Sequence, residues 1–129
     1  EEVRQLAGER ITEIVSDVAH AMGVRAELDI RWNYGPLVND GAQYQRVKGW
    51  LTDLVGPDRY VEQEFPNSGG EDFSYFAQAV PSVFFWLGTQ ADDGVTVGAH
   101  SPAFTFNEKA MPLGVAAFTR IVFGYLNGM

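Results

Sequence analysis

Val24-Arg25-Ala26-Glu27-Leu28-Asp29-Ile30-Arg31-Trp32-Asn33-Tyr34 alternates apolar and polar residues at every step. Side chains on an extended chain point to opposite faces with a period of two, so this stretch predicts a strand with one face buried and one wet. That pattern belongs to an antiparallel sheet backed by a helix on one side. The backing helix precedes it. Val3, Leu6, Ala7, Ile11, Ile14, Val15, Val18 and Met22 recur at three- and four-residue steps, and Gly23 closes the pattern, predicting an amphipathic helix over 2–22. No second alternating strand follows nearby. The strand therefore pairs with another chain or with polypeptide outside these residues, because a lone strand is marginal in water.

Gly35-Pro36 breaks the strand, and the character of the chain changes beyond it. Asn39 or Asp40 is placed to cap a helix running to Val55, which Gly56-Pro57 ends. A short strand is expected over 59–65 and a short helix from Glu71 to Ala79. The apolar run Ser82–Leu87 reads as a strand covered on both faces. A long loop from Gly88 to Phe106 follows, and a last helix begins near Asn107 or Pro112 and runs to Leu126. The succession helix, strand, helix, strand, loop, helix gives an α/β fold.

Composition narrows the function. The net charge of −8 has no basic run to offset it, which argues against nucleic acid and anionic membrane as partners. No apolar stretch approaches the ~20 residues of a membrane span. The absence of cysteine removes disulfides, cysteine nucleophiles and thiolate metal ligands, and fits a cytoplasmic protein. The chain opens at Glu1-Glu2 inside a helical pattern, the expectation for a cut or processed piece.

Two polar segments interrupt the apolar sequence. Asn67-Ser68-Gly69-Gly70-Glu71-Asp72 is either a glycine turn with capping carboxylates or a loop whose backbone approaches a ligand. His100, near the end of the long loop, is either a structural hydrogen-bonder or a metal ligand. His20 lies off the helix's apolar stripe and reads as exposed. A catalytic metal site needs about three protein ligands. The remaining candidates are Glu71, Asp72, Asp92, Asp93 and Glu108, of which Asp92-Asp93 reads as a solvated loop tip and Glu108 as a helix-start acid. A complete site is not evident. Neither a Gly-x-Ser-x-Gly elbow nor a Gly-x-x-x-x-Gly-Lys loop is present.

Three ordered motifs carry a resemblance. Gly70-Glu71-Asp72-Phe73-Ser74, then Val80-Pro81 with Phe84-Phe85 and Leu87-Gly88, then His100-Ser101-Pro102 with Phe104, Phe106 and Asn107-Glu108, are similar to the C-terminal part of the M20 metallopeptidases. The amidohydrolase branch, with hippurate and auxin-conjugate hydrolases, resembles them most. Pro36–Asp40 resembles the segment where that family's chain passes from its lid to its catalytic domain.

The resemblance implies hydrolysis of the amide bond of N-acyl amino acids or small peptides, with two divalent metal ions, zinc or manganese. It implies residues 1–36 as the last helix and strand of a ferredoxin-like lid that makes a homodimer. Residues 37–129 would then be the C-terminal part of a three-layer α/β catalytic domain. It makes His100 a metal ligand and places Gly69, Gly70, Glu71 and Asp72 at the substrate pocket. The general base and the other metal ligands have no counterpart here and are expected upstream, so the chain alone is expected to be inactive. The rival reading is a non-catalytic oligomerisation module that uses strand 24–34.

Overall fold

The computed structural model describes residues 1–92 and 94–128. The chain divides into two compact units, Glu1–Val38 with Ser68–Ala79, and Asn39–Asn67 with Val80–Met129.

In the first unit, α1 spans Glu2–Ala21. Its end is set by Gly23, whose φ of 66° is accessible to glycine at no steric cost. The Gly23 N–H donates to His20 O at 3.1 Å and the Val24 N–H to Ala19 O at 3.0 Å, which together form a Schellman termination. The chain then runs back along the helix. Val24, Ala26 and Leu28 share a groove with Thr12, Val15 and Ala19, and Ile30 and Trp32 lie beside Gly8. Arg25 pairs with Glu27 and Arg31 with Asp29 across two residues on the wet side. The period-two alternation is thus present in space, but the apolar face expected to be buried is not: Val24, Leu28, Trp32 and Tyr34 stay exposed and only Ile30 is half-buried. Arg4 closes the end of this hairpin. Its guanidinium lies 4.9 Å from the Trp32 ring centre and donates to Tyr34 O at 3.3 Å.

Two expectations need correction here. Residues 24–34 form no ladder, and neither do 59–65 or 82–87; no segment is a paired strand among the described residues. A strand is defined by its hydrogen-bonded neighbour, and none of the three has one among the described residues. Of the apolar stripe of α1, only Val15 meets 24–34 in the groove. Arg4, Gly8, Thr12 and Ala19 face that segment, while Val3, Leu6, Ile14, Val18 and Met22 stay exposed. A helix is about 10 Å wide and a strand occupies about 4.8 Å, so a single extended segment covers only one flank of α1.

The second unit is built on α2, Gly41–Val55. Asp40 caps it, its Oδ1 accepting from the Gln43 N–H at 2.9 Å. Gly56, with φ of 86°, ends it before a 3-10 turn at Pro57–Arg59. The final helix, α4, spans Ala110–Leu126 and carries Pro112 in its first turn, where the missing N–H costs nothing. Val47, Trp50 and Leu51 of α2 pack with Ala117 of α4 to form the core, and Tyr60, Val83, Phe85 and Ile121 cover it.

The sequence predicts a run 82–87 covered on both faces, and the structure covers one. Val83 and Phe85 do meet the core, but Phe84 and Trp86 pair with each other on the opposite side, edge to face at 5.2 Å. Trp86 remains 65% exposed. The short helix expected from Glu71 is α3, Ser74–Ala79, in the first unit. Its start is delayed because 71–73 form the preceding turn.

Candidate functional site

The candidate residues fall in different units: Gly69, Gly70, Glu71 and Asp72 in the first, His100 in the second.

The segment 68–79 is held by Tyr34. The Tyr34 ring lies on Gly70 so closely that a methyl group there would sit 2.9 Å from ring carbon Cδ2. Tyr75 meets Tyr34 edge to face at 5.9 Å. Glu71 is half-buried, and its Oε1 accepts from the Phe73 N–H at 3.2 Å. The Ser74 N–H donates to Glu71 O and the Tyr75 N–H to Asp72 O, closing the turn into α3. Glu71 is thus a turn-capping carboxylate in this geometry, and Asp72 points into solvent. Ser74, to which the sequence assigned no role, is fully buried, and its Oγ has no hydrogen-bond partner among the described residues. A serine at the start of a helix reads as an exposed cap, so only packing could mark it.

The segment 88–107 is tied at its ends by Asn107. The Asn107 N–H donates to Thr89 O at 3.0 Å, and its Nδ2 donates to Asp92 Oδ1 at 2.8 Å and to Gln90 O at 3.3 Å. Asn107 Oδ1 accepts from the Lys109 N–H at 3.0 Å, and the Lys109 ammonium pairs with Asp92. Gln90 Nε2 donates to Thr96 Oγ1 and Gly94 O. Asp92 is exposed in a turn, as expected of it, and also pairs with Asn107 and Lys109; Asp93 lies outside the described residues. Glu108 is exposed in the turn before α4, as its place in the sequence implies.

His100 lies inside this closed loop, in a pair of turns. The Ser101 N–H donates to Gly98 O, the Phe104 N–H to Ser101 O, and the Ala103 N–H to Ser101 Oγ. The imidazole is exposed, and its side chain forms no hydrogen bond or ion pair among the described residues. An exposed imidazole without a protein partner among the described residues fits one position in a metal shell. A complete shell does not arise from this chain alone: no group of three or more His, Asp or Glu converges among the described residues. His20 is exposed on α1.

Residues 4–123 match the profile of peptidase family M20/M25/M40. The chain is 32% identical over 122 residues to IAA-amino acid hydrolase ILR1-like 2 of Arabidopsis thaliana, covering 92% of this chain and 28% of that protein. It is 30% identical over 112 residues to the putative amidohydrolase YhaA of Bacillus subtilis (strain 168), covering 86% of this chain and 28% of that protein. It is 27% identical over 121 residues to the N-acetylcysteine deacetylase of the same organism, covering 93% and 30%. The chain thus spans less than a third of the length of these relatives. No solved structure matches it. With the match extending from within α1 to within α4, this chain belongs to peptidase family M20/M25/M40.

Proposed function

We propose that the chain is the C-terminal part of a metal-dependent amidohydrolase that cleaves the amide bond of N-acyl amino acids or small peptides. The family match across residues 4–123, joined to relatives named as hydrolases of amino-acid conjugates, is the observation that supports this most directly. On this reading His100 holds a divalent ion, zinc or manganese, through a neutral ring nitrogen, in a two-metal site completed by residues outside this chain. When bound, such an ion supplies Lewis acidity toward the amide carbonyl and acidifies water toward neutral pH.

Gly69 and Gly70 line the substrate pocket, where the absence of side chains lets a substrate come close to the main chain. Glu71 fixes the turn that carries them, and Asp72 faces the substrate. No general base is assigned among these residues. Residues 1–36 are the lid piece through which a homodimer forms, residues 37–129 the catalytic piece, and the protein resides in the cytoplasm.

The full-length gene product tests this. It should hydrolyse N-acyl amino acids, lose activity to a chelator and regain it with zinc or manganese. His100→Ala should lower turnover by at least about 100-fold, and residues 1–129 alone should be inactive. A full-length product inert across a panel of acyl and amino-acid groups would refute the assignment.

A second reading, oligomerisation without catalysis, is supported by the bare stripe Val3, Leu6, Ile14 and Val18 and by the unpaired segment 24–34. It predicts that Ile14→Asp dissociates an oligomer, read by sedimentation velocity, in a protein that never hydrolyses an amide.

A further inference from the structure

The Asn107 side chain makes three hydrogen bonds among the described residues, and two of them join one end of the loop to the other. Its Nδ2 reaches back 17 residues to Gln90 O and 15 residues to Asp92 Oδ1. Its N–H adds a bond to Thr89 O, and its Oδ1 takes the Lys109 N–H at the entry to α4. The carboxamide thus uses both Nδ2 hydrogens and the oxygen, and the half-buried site admits no charged substitute with the same donors. Closing a long loop costs entropy, and bonds at its neck restrict every residue between them. His100 sits within that interval, on turns made only of local bonds, with no side-chain partner of its own. Among the described residues the bonds around His100 are these local turn bonds, so the placement of the turns as a unit depends on the neck.

We infer that Asn107 is the positioning residue for His100. By bridging Gln90 O and Asp92 it fixes the loop that presents the imidazole, with Asp92 as its acceptor and Lys109 holding Asp92 in turn. This rests on the metal-ligand reading of His100. It goes beyond that reading in assigning the restraint to a residue that bonds neither metal nor substrate. The chemistry is specific. An aspartate at 107 would lose both donors and face the Asp92 carboxylate, whereas an asparagine at 92 would keep the acceptor that Asn107 needs.

The test uses the full-length gene product, equilibrium zinc affinity by competition with a chromophoric chelator, and hydrogen exchange of the 98–104 amides. Asn107→Ala should weaken zinc binding by about 10-fold or more and speed exchange at 98–104 while leaving α4 peptides unchanged. Asp92→Ala should behave similarly, and Asp92→Asn should retain affinity within about 3-fold. Zinc affinity unchanged in Asn107→Ala, in a protein where His100→Ala abolishes it, would overturn the positioning role. If His100→Ala itself leaves zinc binding intact, the metal-ligand reading fails. In that case unchanged exchange at 98–104 in Asn107→Ala removes the brace as well, and faster exchange retains it as a loop restraint.

Discussion

The side chain of Asn39 does for Phe84 what a neighbouring strand would do. Its Oδ1 accepts from the Phe84 N–H at 2.7 Å, and its Nδ2 donates to Phe84 O at 2.9 Å. The next residue adds a backbone bond from the Asp40 N–H to Ser82 O at 2.9 Å. A carboxamide presents one donor and one acceptor side by side, the same pair a strand offers, so the run 82–87 is anchored without a ladder.

Replacing Asn39 by Ala should therefore cost about 1–3 kcal/mol, because two part-buried backbone groups lose the carboxamide together. Urea unfolding followed by tryptophan fluorescence measures it, and Asn39→Asp should be no better, since its carboxylate faces Phe84 O. A midpoint unmoved by Asn39→Ala would mean the clamp is not formed in solution.

Gly124 permits Trp50 to lie against α4: a methyl group at 124 would sit 2.5 Å from the indole Cε2. Tyr125 meets the same indole at 5.0 Å, and the Arg46 guanidinium lies 4.5 Å from the Tyr125 ring centre. Gly124→Ala should lower stability by about 1–3 kcal/mol and shift the near-ultraviolet circular dichroism, since the ring has to move to admit the methyl. An Ala variant with native spectrum and melting temperature would contradict this packing.

Ser74 gives the opposite prediction. Its buried hydroxyl has no partner among the described residues, so Ser74→Ala removes an uncompensated polar atom and should be neutral or stabilising by up to about 1 kcal/mol. A loss above about 1 kcal/mol would show that the hydroxyl bonds something in solution.

Stability should vary with pH through Glu62. The Lys48 ammonium, then the Tyr44 hydroxyl at 3.0 Å, hold its carboxyl below the ordinary value of 4.5. A depressed carboxyl contributes stability above that ordinary value and loses it as pH falls through the lower folded value. Lys48 is shifted upward, chiefly by its hydrogen bond to Glu62, so its contribution holds below 10.5 and fades as pH rises beyond its folded value. Tyr44 is raised too, first by desolvation and then by its bonds to Tyr60 and Glu62, which adds to the alkaline loss. A plateau between these limits follows, and Glu62→Gln should remove the acid shoulder and reduce the alkaline one, leaving the part of Tyr44 that comes from desolvation and Tyr60. Since the pair is at the surface, 0.5 M salt should also reduce them. Melting temperature against pH for the two proteins would settle it, and superimposable curves would exclude the network.

The sequence by itself determined the local features and the family. Periodicity placed α1 and α2 almost to the residue and the end of α4 at Leu126, because helix periodicity and the stops at Asp40, Gly23 and Gly56 are written in adjacent positions. The start of α4 is at Ala110, between the two starts expected, with no side-chain cap to mark it. The ordered motifs from Gly70 to Glu108 were sufficient to identify M20 membership, since spacing along the chain needs no geometry. What only tertiary structure decided is pairing over distance. Asn39 on Phe84, Asn107 across to Asp92, and Trp50 into the gap at Gly124 join residues far apart in sequence, and nothing local signals which side chain will meet which. The same reason explains the unpaired strands and the bare stripe of α1. Alternation tells which face of a segment prefers burial, but burial itself requires a neighbour, and a neighbour is a property of the folded molecule.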